Sequence, residues 1–252
     1  MSLLKKAMEP KNMNSLKLHK LSDRFYVFPY EERTDRPNLY YIYGDAYSVV
    51  IDAGNSAKHV QLFYDALKKE GLPLPAYTII SHWHWDHTFG LTAIEGVSLS
   101  SQKTHDKLLE VMKWPWTVED MKQRETEGLD IPFCTEHILI EYPDLNDIRV
   151  ITTDEIINEE TIMDPGGIQL VILSGPSTHS DDALYVYIPD EKALIVQDAD
   201  CEDFYHGEIY DQNTLRKMIA FFESLDYEYH YLGHAERETK EFALDRLKGE
   251  LL

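Results

Sequence analysis

Four residues at positions 82–87 bring together, at very short spacing, the side chains that bind metal ions. His82, His84, Asp86 and His87 form the pattern HxHxDH within the segment SHWHWDH. Imidazoles at positions i and i+2 emerge on the same side of an extended segment, so His82 and His84 can reach one ion. The Asp and His that follow can turn toward a neighbouring point. One loop can therefore serve two adjacent metal ions.

The remaining ligands must come from other parts of the chain, because zinc binds about four ligands, often with one position left to water. Three candidates each lie just beyond an apolar segment that predicts a β-strand or lie between two such segments. They are His179 after Gly175-Pro176, Asp198 after Ala193–Val196, and His234 after Tyr229–Leu232. Side chains that follow neighbouring strands can meet at one edge of a sheet. The sequence therefore predicts a metal site built from the loop and these three positions.

Alternating apolar strands and amphipathic helices supply the frame for these residues. The predicted strands are Arg24–Phe28, Leu39–Tyr43, Tyr47–Ile51, Tyr77–Ile80, Val97–Leu99, Ile148–Thr152, Ile168–Leu173, Leu184–Ile188, Ala193–Val196 and Tyr229–Leu232. The predicted helices are Ala57–Lys69, two helices within 102–128, Thr214–Leu225 and Lys240–Leu251. Two comparable halves of this kind indicate two sheets sandwiched between helices.

The chain resembles the metallo-β-lactamase-fold superfamily from about residue 21 onward. The matching segments are VVIDAG at 49–54, SHWHWDH at 81–87, GPSTHSDDALYVYIP at 175–189, LIVQD at 194–198 and YLGHAE at 231–236. The resemblance implies an α/β (α+β) fold, a four-layer αββα sandwich with the metals at one edge. A helical insert is expected near 101–145. The chain is expected to form a single domain over 21–252, preceded by an N-terminal tail over 1–20.

The same resemblance implies a role for each candidate residue. His82, His84 and His179 would hold one divalent metal ion, Asp86, His87 and His234 the second, Asp198 would bridge both, and Asp52 would brace the metal loops without binding metal. Two Zn²⁺ ions are expected, with Fe or Mn as alternatives. A metal-bridging hydroxide would attack the substrate, and Asp86 would act in catalysis by orienting it and carrying a proton. The implied enzyme is a metal-dependent hydrolase of a small ester, thioester, lactone or phosphoester.

The fold does not fix the substrate, since relatives hydrolyse lactams, thioesters, lactones and phosphodiesters. The best-known lactamases carry Cys at the position of Asp198 and Lys at that of Cys201, which disfavours lactamase activity. Lactone hydrolases often carry Tyr at the position of Cys201; here Tyr205 stands further on, as a candidate substrate contact. The alternative function is an iron-dependent oxygenase or oxidoreductase. Persulfide dioxygenases share the HxHxDH loop, whereas di-iron relatives typically have Glu where His84 stands.

The insert allows two interpretations. Apolar positions predict one helix before Trp114-Pro115-Trp116 and a second at 118–127, and Pro115 separates them because proline cannot continue a helix. If the pair forms a lid over the site, Trp114 and Trp116 would contact the substrate. Otherwise both indoles would anchor the insert to the sandwich.

The charge of the chain excludes several classes of partner. Its 252 residues include 24 Lys and Arg against 45 Asp and Glu, a net charge of −21 at pH 7. Nucleic acid and an anionic membrane surface would both be repelled, so a small-molecule substrate is expected. No segment approaches the length of a membrane span. Lys5, Lys6 and Glu9 interrupt the apolar run that a signal peptide needs, so the cytoplasm is the expected compartment.

Overall fold

The computed structural model describes residues 17–207 and 209–252, which build two mixed β-sheets. The first sheet has, in spatial order, β1 (His19–Lys20), β2 (Phe25–Phe28), β3 (Leu39–Tyr43), β4 (Ser48–Ile51), β5 (Tyr77–Ile79), β6 (Val97–Ser101) and β7 (Glu155–Ile157). The second has β13 (Glu238–Thr239), β12 (Tyr229–Leu232), β11 (Ala193–Gln197), β10 (Leu184–Ile188), β9 (Leu170–Ser174) and β8 (Thr161–Met163). Strands β4 to β7 are mutually parallel, as are β11 and β12, and the other pairs are antiparallel.

Helices pack on the outer face of each sheet, and others belong to the HxHxDH loop and to the insert. They are α1 (Ala57–Lys69), α2 (Trp85–Thr88), α3 (Gln102–Val111), α4 (Val118–Glu127), α5 (Pro132–Glu141), α6 (Gln212–Ser224) and α7 (Lys240–Gly249). Helix α1 packs its apolar face on the first sheet, and α6 and α7 pack on the second. The inner faces of the two sheets share one further apolar core. The predicted αββα sandwich is therefore confirmed.

Strand periodicity explains how each sheet contributes to two cores, since successive side chains point to opposite faces. In β3, Tyr40 and Ile42 lie in the core between the sheets, whereas Tyr41 packs beneath α1 against Phe63. The side chains of strand β11 alternate in the same way, and that of Ile195 lies in the core between the two sheets. These strands are buried on both faces, which is why they read as continuous apolar runs.

The structure corrects several predicted elements. The segment predicted as a strand at Ile148–Thr152 forms no strand, because Ile148 packs with the helical insert and the chain joins the first sheet only at β7. Helix α5 was not predicted, since its apolar residues lie on several sides of the helix. The predicted N-terminal tail lies mostly outside the described residues, and its last part forms β1, so the first sheet begins before residue 21.

A buried ion pair fastens the insert to the sandwich. Arg36, fully buried after β2, places Nη2 2.8 and 2.9 Å from the two carboxylate oxygens of Glu141 at the end of α5. The same carboxylate accepts a hydrogen bond from Ser56, which also caps α1. The pair therefore joins three segments that are distant in the sequence.

The Trp-Pro-Trp segment packs within the insert. The guanidinium of Arg124, on α4, lies 4.7 Å from the ring centre of Trp114 and 4.6 Å from that of Trp116. Trp116 also meets Phe89 edge to face, with ring centres 5.2 Å apart. Cation–π and aromatic contacts of this kind stabilise the segment. Both indoles therefore pack against Arg124 of the insert, and Trp116 also joins the insert to Phe89.

Breaking the buried pair should destabilise the protein. Glu141→Gln leaves the guanidinium of Arg36 buried without a counter-charge, so we expect the free energy of unfolding in urea to fall by about 3–5 kcal/mol. The control is Asp181→Asn, which breaks the exposed pair with Lys103 and should cost less than about 1 kcal/mol. Equal losses in the two variants would contradict the anchoring role.

Candidate metal centre

The HxHxDH loop begins where β5 ends. His82 and His84 lie on the extended segment after β5, and Asp86 and His87 lie in the short helix α2 that follows. All four side chains are buried. The change from extended chain to helix separates the four ligand candidates into two pairs, as the sequence predicts.

The first group joins the loop to the second sheet. His84 places Nδ1 3.0 Å from Nε2 of His82 and 2.9 Å from Nε2 of His179. His179 stands between β9 and β10. Nitrogens around a tetrahedral zinc ion lie roughly 3.3 Å apart, given bonds of about 2.0–2.1 Å. Nδ1 of His84 thus lies within a few tenths of an ångström of this spacing from both other nitrogens, and the three atoms face one point.

The second group contains two imidazoles and two carboxylates. Nε2 of His87 lies 2.9 Å from Oδ2 of Asp86 and 2.9 Å from Oδ2 of Asp198. Nε2 of His234 lies 3.0 and 3.4 Å from the same two oxygens. These four donor atoms lie within 4.8 Å of one another.

The two groups are adjacent. The rings of His82 and His87, one from each group, have centres 4.2 Å apart. Asp198 makes its contacts in the second group, and its bridging of both ions stays a prediction. A glycine precedes His234 because a β-carbon at Gly233 would lie 2.0 Å from Oδ1 of Asp198. This close approach brings the end of β12 against the end of β11.

In three of the histidine rings, a hydrogen bond at Nδ1 fixes Nε2 as the nitrogen that faces the other donors of its group. His87 donates from Nδ1 to Oδ2 of Asp52 at 2.7 Å, and His179 donates from Nδ1 to the backbone oxygen of Glu202 at 3.1 Å. The Ser81 hydroxyl donates to Asp52 and can accept from Nδ1 of His82, 3.0 Å away. Each ring then presents Nε2 to its group, and Nε2 is the nitrogen that must be free of its proton when metal binds.

Comparison with known proteins identifies the family. The sequence model of the metallo-beta-lactamase superfamily matches residues 33–234, which include every residue of both groups. The chain belongs to this superfamily. A search of curated protein sequences finds no significant match.

Several solved structures share the fold at low sequence identity. A metallo-beta-lactamase from Pontibacter korlensis superposes with a TM-score of 0.63 at 15% identity, covering 92% of this chain and 97% of that one. A metallo-beta-lactamase family protein from Thermus thermophilus gives 0.64 at 14%, covering 91% and 80%. The sec-alkylsulfatase Pisa1 from Pseudomonas sp. gives 0.66 at 15%, covering 93% of this chain and 41% of that one. At these identities the likeness shows the fold alone.

The part of the chain that the structure describes has no helix with the length and the apolar character of a membrane span.

Sequence reasoning missed Gln197, which links Asp52 to the second sheet. Its Nε2 donates to Oδ2 of Asp52 at 2.5 Å and to the backbone oxygen of Asn38 at 3.2 Å. Both Asp52 and Gln197 have a left-handed backbone, with φ of 67° and 51°. Since Gln197 directly precedes Asp198, its backbone conformation helps set the direction of that carboxylate. A polar residue ahead of Asp198 was the only signal in the sequence.

Sequence reasoning also missed Asp35. Its Oδ1 lies 3.5 Å from Nδ1 of His234, on the side of the ring away from the second group. Its backbone is left-handed, with φ of 54°. Burial and the nearby charge of Asp86 raise the pKa of Asp35 to about 7. Asp35 thus lies at Nδ1 of His234, just as Asp52 lies at Nδ1 of His87.

The two groups differ in electrostatic character. Burial lowers the pKa of His82 and His84 well below the usual range, so both are neutral, the form that binds metal. Burial acts in the same direction at His87 and His234. There, however, the carboxylates, Asp198 among them, outweigh burial and raise both pKa values. Metal binding at the second group would therefore displace protons.

A cavity of about 740 Å³ opens onto both groups. Its walls include Tyr205, whose ring stacks on that of His84 with centres 5.1 Å apart. Tyr205 therefore lies where a substrate contact was predicted. Neither Trp114 nor Trp116 is among the described residues that line this cavity. Arg124 contacts both indoles and Phe89 contacts Trp116, and a substrate contact of the two indoles stays a prediction.

Neutralising Asp52 should weaken metal binding. In Asp52→Asn the amide keeps the shape but loses the charge that orients His87 and, through Ser81, His82. We expect metal affinity to fall about 10–100-fold, measured by competition with a chromophoric chelator. The control is Asp23→Asn, an exposed residue beside Lys20, which should leave the affinity unchanged. Wild-type affinity in Asp52→Asn would contradict the role that we assign to this carboxylate.

Proposed function

We propose that this superfamily member is a hydrolase that uses two divalent metal ions, most simply Zn²⁺, on a small carboxylic or phosphoric ester, thioester or lactone. One observation carries the proposal: two adjacent groups of buried donors meet at the wall of one cavity. The first would hold an ion with three imidazoles. The second would hold an ion with two imidazoles and two carboxylates.

The donor set fits these ions. Imidazole nitrogen and carboxylate oxygen both bind Zn²⁺, and the same set suits iron, whereas the soft thiolates that copper(I) prefers are absent from the two groups. The fixed ring orientations add to the fit, since a rigid ring loses little freedom when it binds metal. Element analysis separates the hydrolase from the alternative oxygenase, because iron at full occupancy would favour oxidative chemistry.

When bound, the ions lower the pKa of a coordinated water to about 7, which supplies a nucleophile at neutral pH, and they polarise the bond under attack. The residues of the chain position the water and the substrate, and they exchange protons with the water. Asp86 makes its contacts with His87 and His234 through Oδ2, so Oδ1 is available to orient a water in the cavity and to hold its proton. Tyr205 stacks on His84 at the cavity wall and limits where the substrate lies.

The number of ions tests the proposal directly. The seven donors predict two metal ions per chain after loading with Zn²⁺, measured by mass spectrometry of metals on the purified protein. His84→Ala should reduce the first group to two imidazoles and leave about one ion per chain. One metal ion per chain in the wild-type protein would contradict the proposal of two ions.

The role of Asp86 gives a second test. Asp86→Asn removes a charged ligand and the oxygen that holds the proton, so we expect kcat on a hydrolysed ester to fall by about 10²-fold or more. The matched control is Asp65→Asn, an exposed carboxylate on α1 that bonds only to Gln61 among the contacts described. It should keep wild-type kcat. A turnover within a few-fold of wild type in Asp86→Asn would contradict the assignment.

A further inference from the structure

We propose that the cavity selects substrates that carry no negative charge outside the reacting group: uncharged or cationic carboxylic esters, thioesters or lactones. This inference rests on the proposed function and narrows it, because it disfavours acyl groups with an anionic tail. The observations that carry it are the charges and the apolar patch of the cavity wall.

Negative charge dominates the wall. Seven carboxyl side chains line the cavity, of which Asp35 has a pKa raised to about 7, and among the described residues Arg246 supplies the only guanidinium or ammonium group of the wall. Two of the carboxylates, Asp86 and Asp198, belong to the second metal group. The others remain when ions are bound, and Glu32 and Glu202 stand among them on the wall. The net charge of −21 adds to their field.

Arg246 is already engaged and is not available to an anionic substrate. Its Nη2 lies 2.6 Å from Oδ2 of Asp200 and 2.9 Å from Oε2 of Glu238. Asp200 also accepts a hydrogen bond from Nε2 of His230 at 2.9 Å. Asp200 and His230 are buried, and Arg246 connects this network to α7. The charges of two carboxylates exceed that of one guanidinium. An anionic tail would therefore enter a region whose one cation is already more than balanced.

An apolar patch lies beside these carboxylates. Phe133, on α5, is 50% exposed and Phe204, on the turn after β11, is 37% exposed, and both line the cavity with Ile131. The ring of Phe204 meets His179 of the first group edge to face, with centres 5.6 Å apart. An apolar acyl chain attached to the reacting carbonyl would lie on these rings. Desolvated apolar walls with few polar groups are the usual form of a small-ligand site.

Three esters of the same alcohol and chain length test the inference on the zinc-loaded protein. Their acyl chains end in a trimethylammonium group, in its uncharged isostere tert-butyl, or in a sulfonate. We expect kcat/KM to be at least about tenfold lower for the sulfonate than for either of the others, since a charged wall changes local substrate concentration by about 10-fold or more. High salt should reduce the difference, because it screens the wall charges.

Two pairs of substitutions locate the effect. Glu32→Gln with Glu202→Gln removes two wall charges and should lower the ratio of cationic to anionic kcat/KM several-fold. Glu70→Gln with Glu95→Gln makes the same change in net charge at exposed positions on the opposite edge of the sandwich and should keep the wild-type ratio. A sulfonate ester hydrolysed as fast as the tert-butyl ester, or an equal change of ratio in both double variants, would overturn the inference.

Binding of uncleavable amides separates this inference from the proposed function. The three amide counterparts are titrated into zinc-loaded protein by calorimetry. Tighter binding of the cationic and uncharged amides than of the sulfonate supports the charge preference even if none of the esters is hydrolysed, a result that would overturn only the hydrolase. The reverse order of affinity would overturn the charge preference whether or not hydrolysis occurs.

Discussion

The carboxylate of Asp52 accepts hydrogen bonds from the loop of the first sheet, through Ser81 and His87, and from Gln197 at the end of β11 in the second sheet. Hydrogen bonds to a charged group contribute about 1.5–3 kcal/mol each. The left-handed backbone at Asp52 and Gln197 costs about 1–3 kcal/mol at each residue. The bonds outweigh this cost, and the strain is located where the two halves of the site meet.

Strand direction explains why the donors meet at one edge. Strands β4, β5 and β6 are parallel, so their carboxyl ends lie together, and the HxHxDH loop follows the central one. Strands β11 and β12 are parallel in the second sheet, and Asp198 and His234 follow them closely. Parallel strands place successive loops at one edge of a sheet. The face-to-face packing of the sheets then brings the two edges into contact.

Local patterns predicted two sheets between helices and a metal site at one sheet edge, and the family resemblance of the motifs implied the division of the donors into two groups. Apolar runs mark the strands, and each donor lies in or just beyond a loop that follows one. Asp35 and Gln197 escaped prediction because their roles depend on contacts with residues far away in the chain. Helix α5 escaped because its apolar residues show no single face. The contacts of Arg124 with the two indoles were not predicted for the same reason as the roles of Asp35 and Gln197, since nothing local shows that this guanidinium would pack against them.

The acidic wall and the metal ions are complementary. Two divalent ions would bring four positive charges, and the donors of both groups would offset only two of these through Asp86 and Asp198. Further carboxylates around the cavity would act on the remainder, at a place where burial makes an unbalanced charge costly. In the hydrolase that we propose, the reacting carbonyl would lie beside the ions, and the rest of the substrate would face Glu32, Glu202 and the apolar patch. The metal centre and the wall would then act on different parts of the substrate: the first would set which bond is broken, and the second would set which molecule enters.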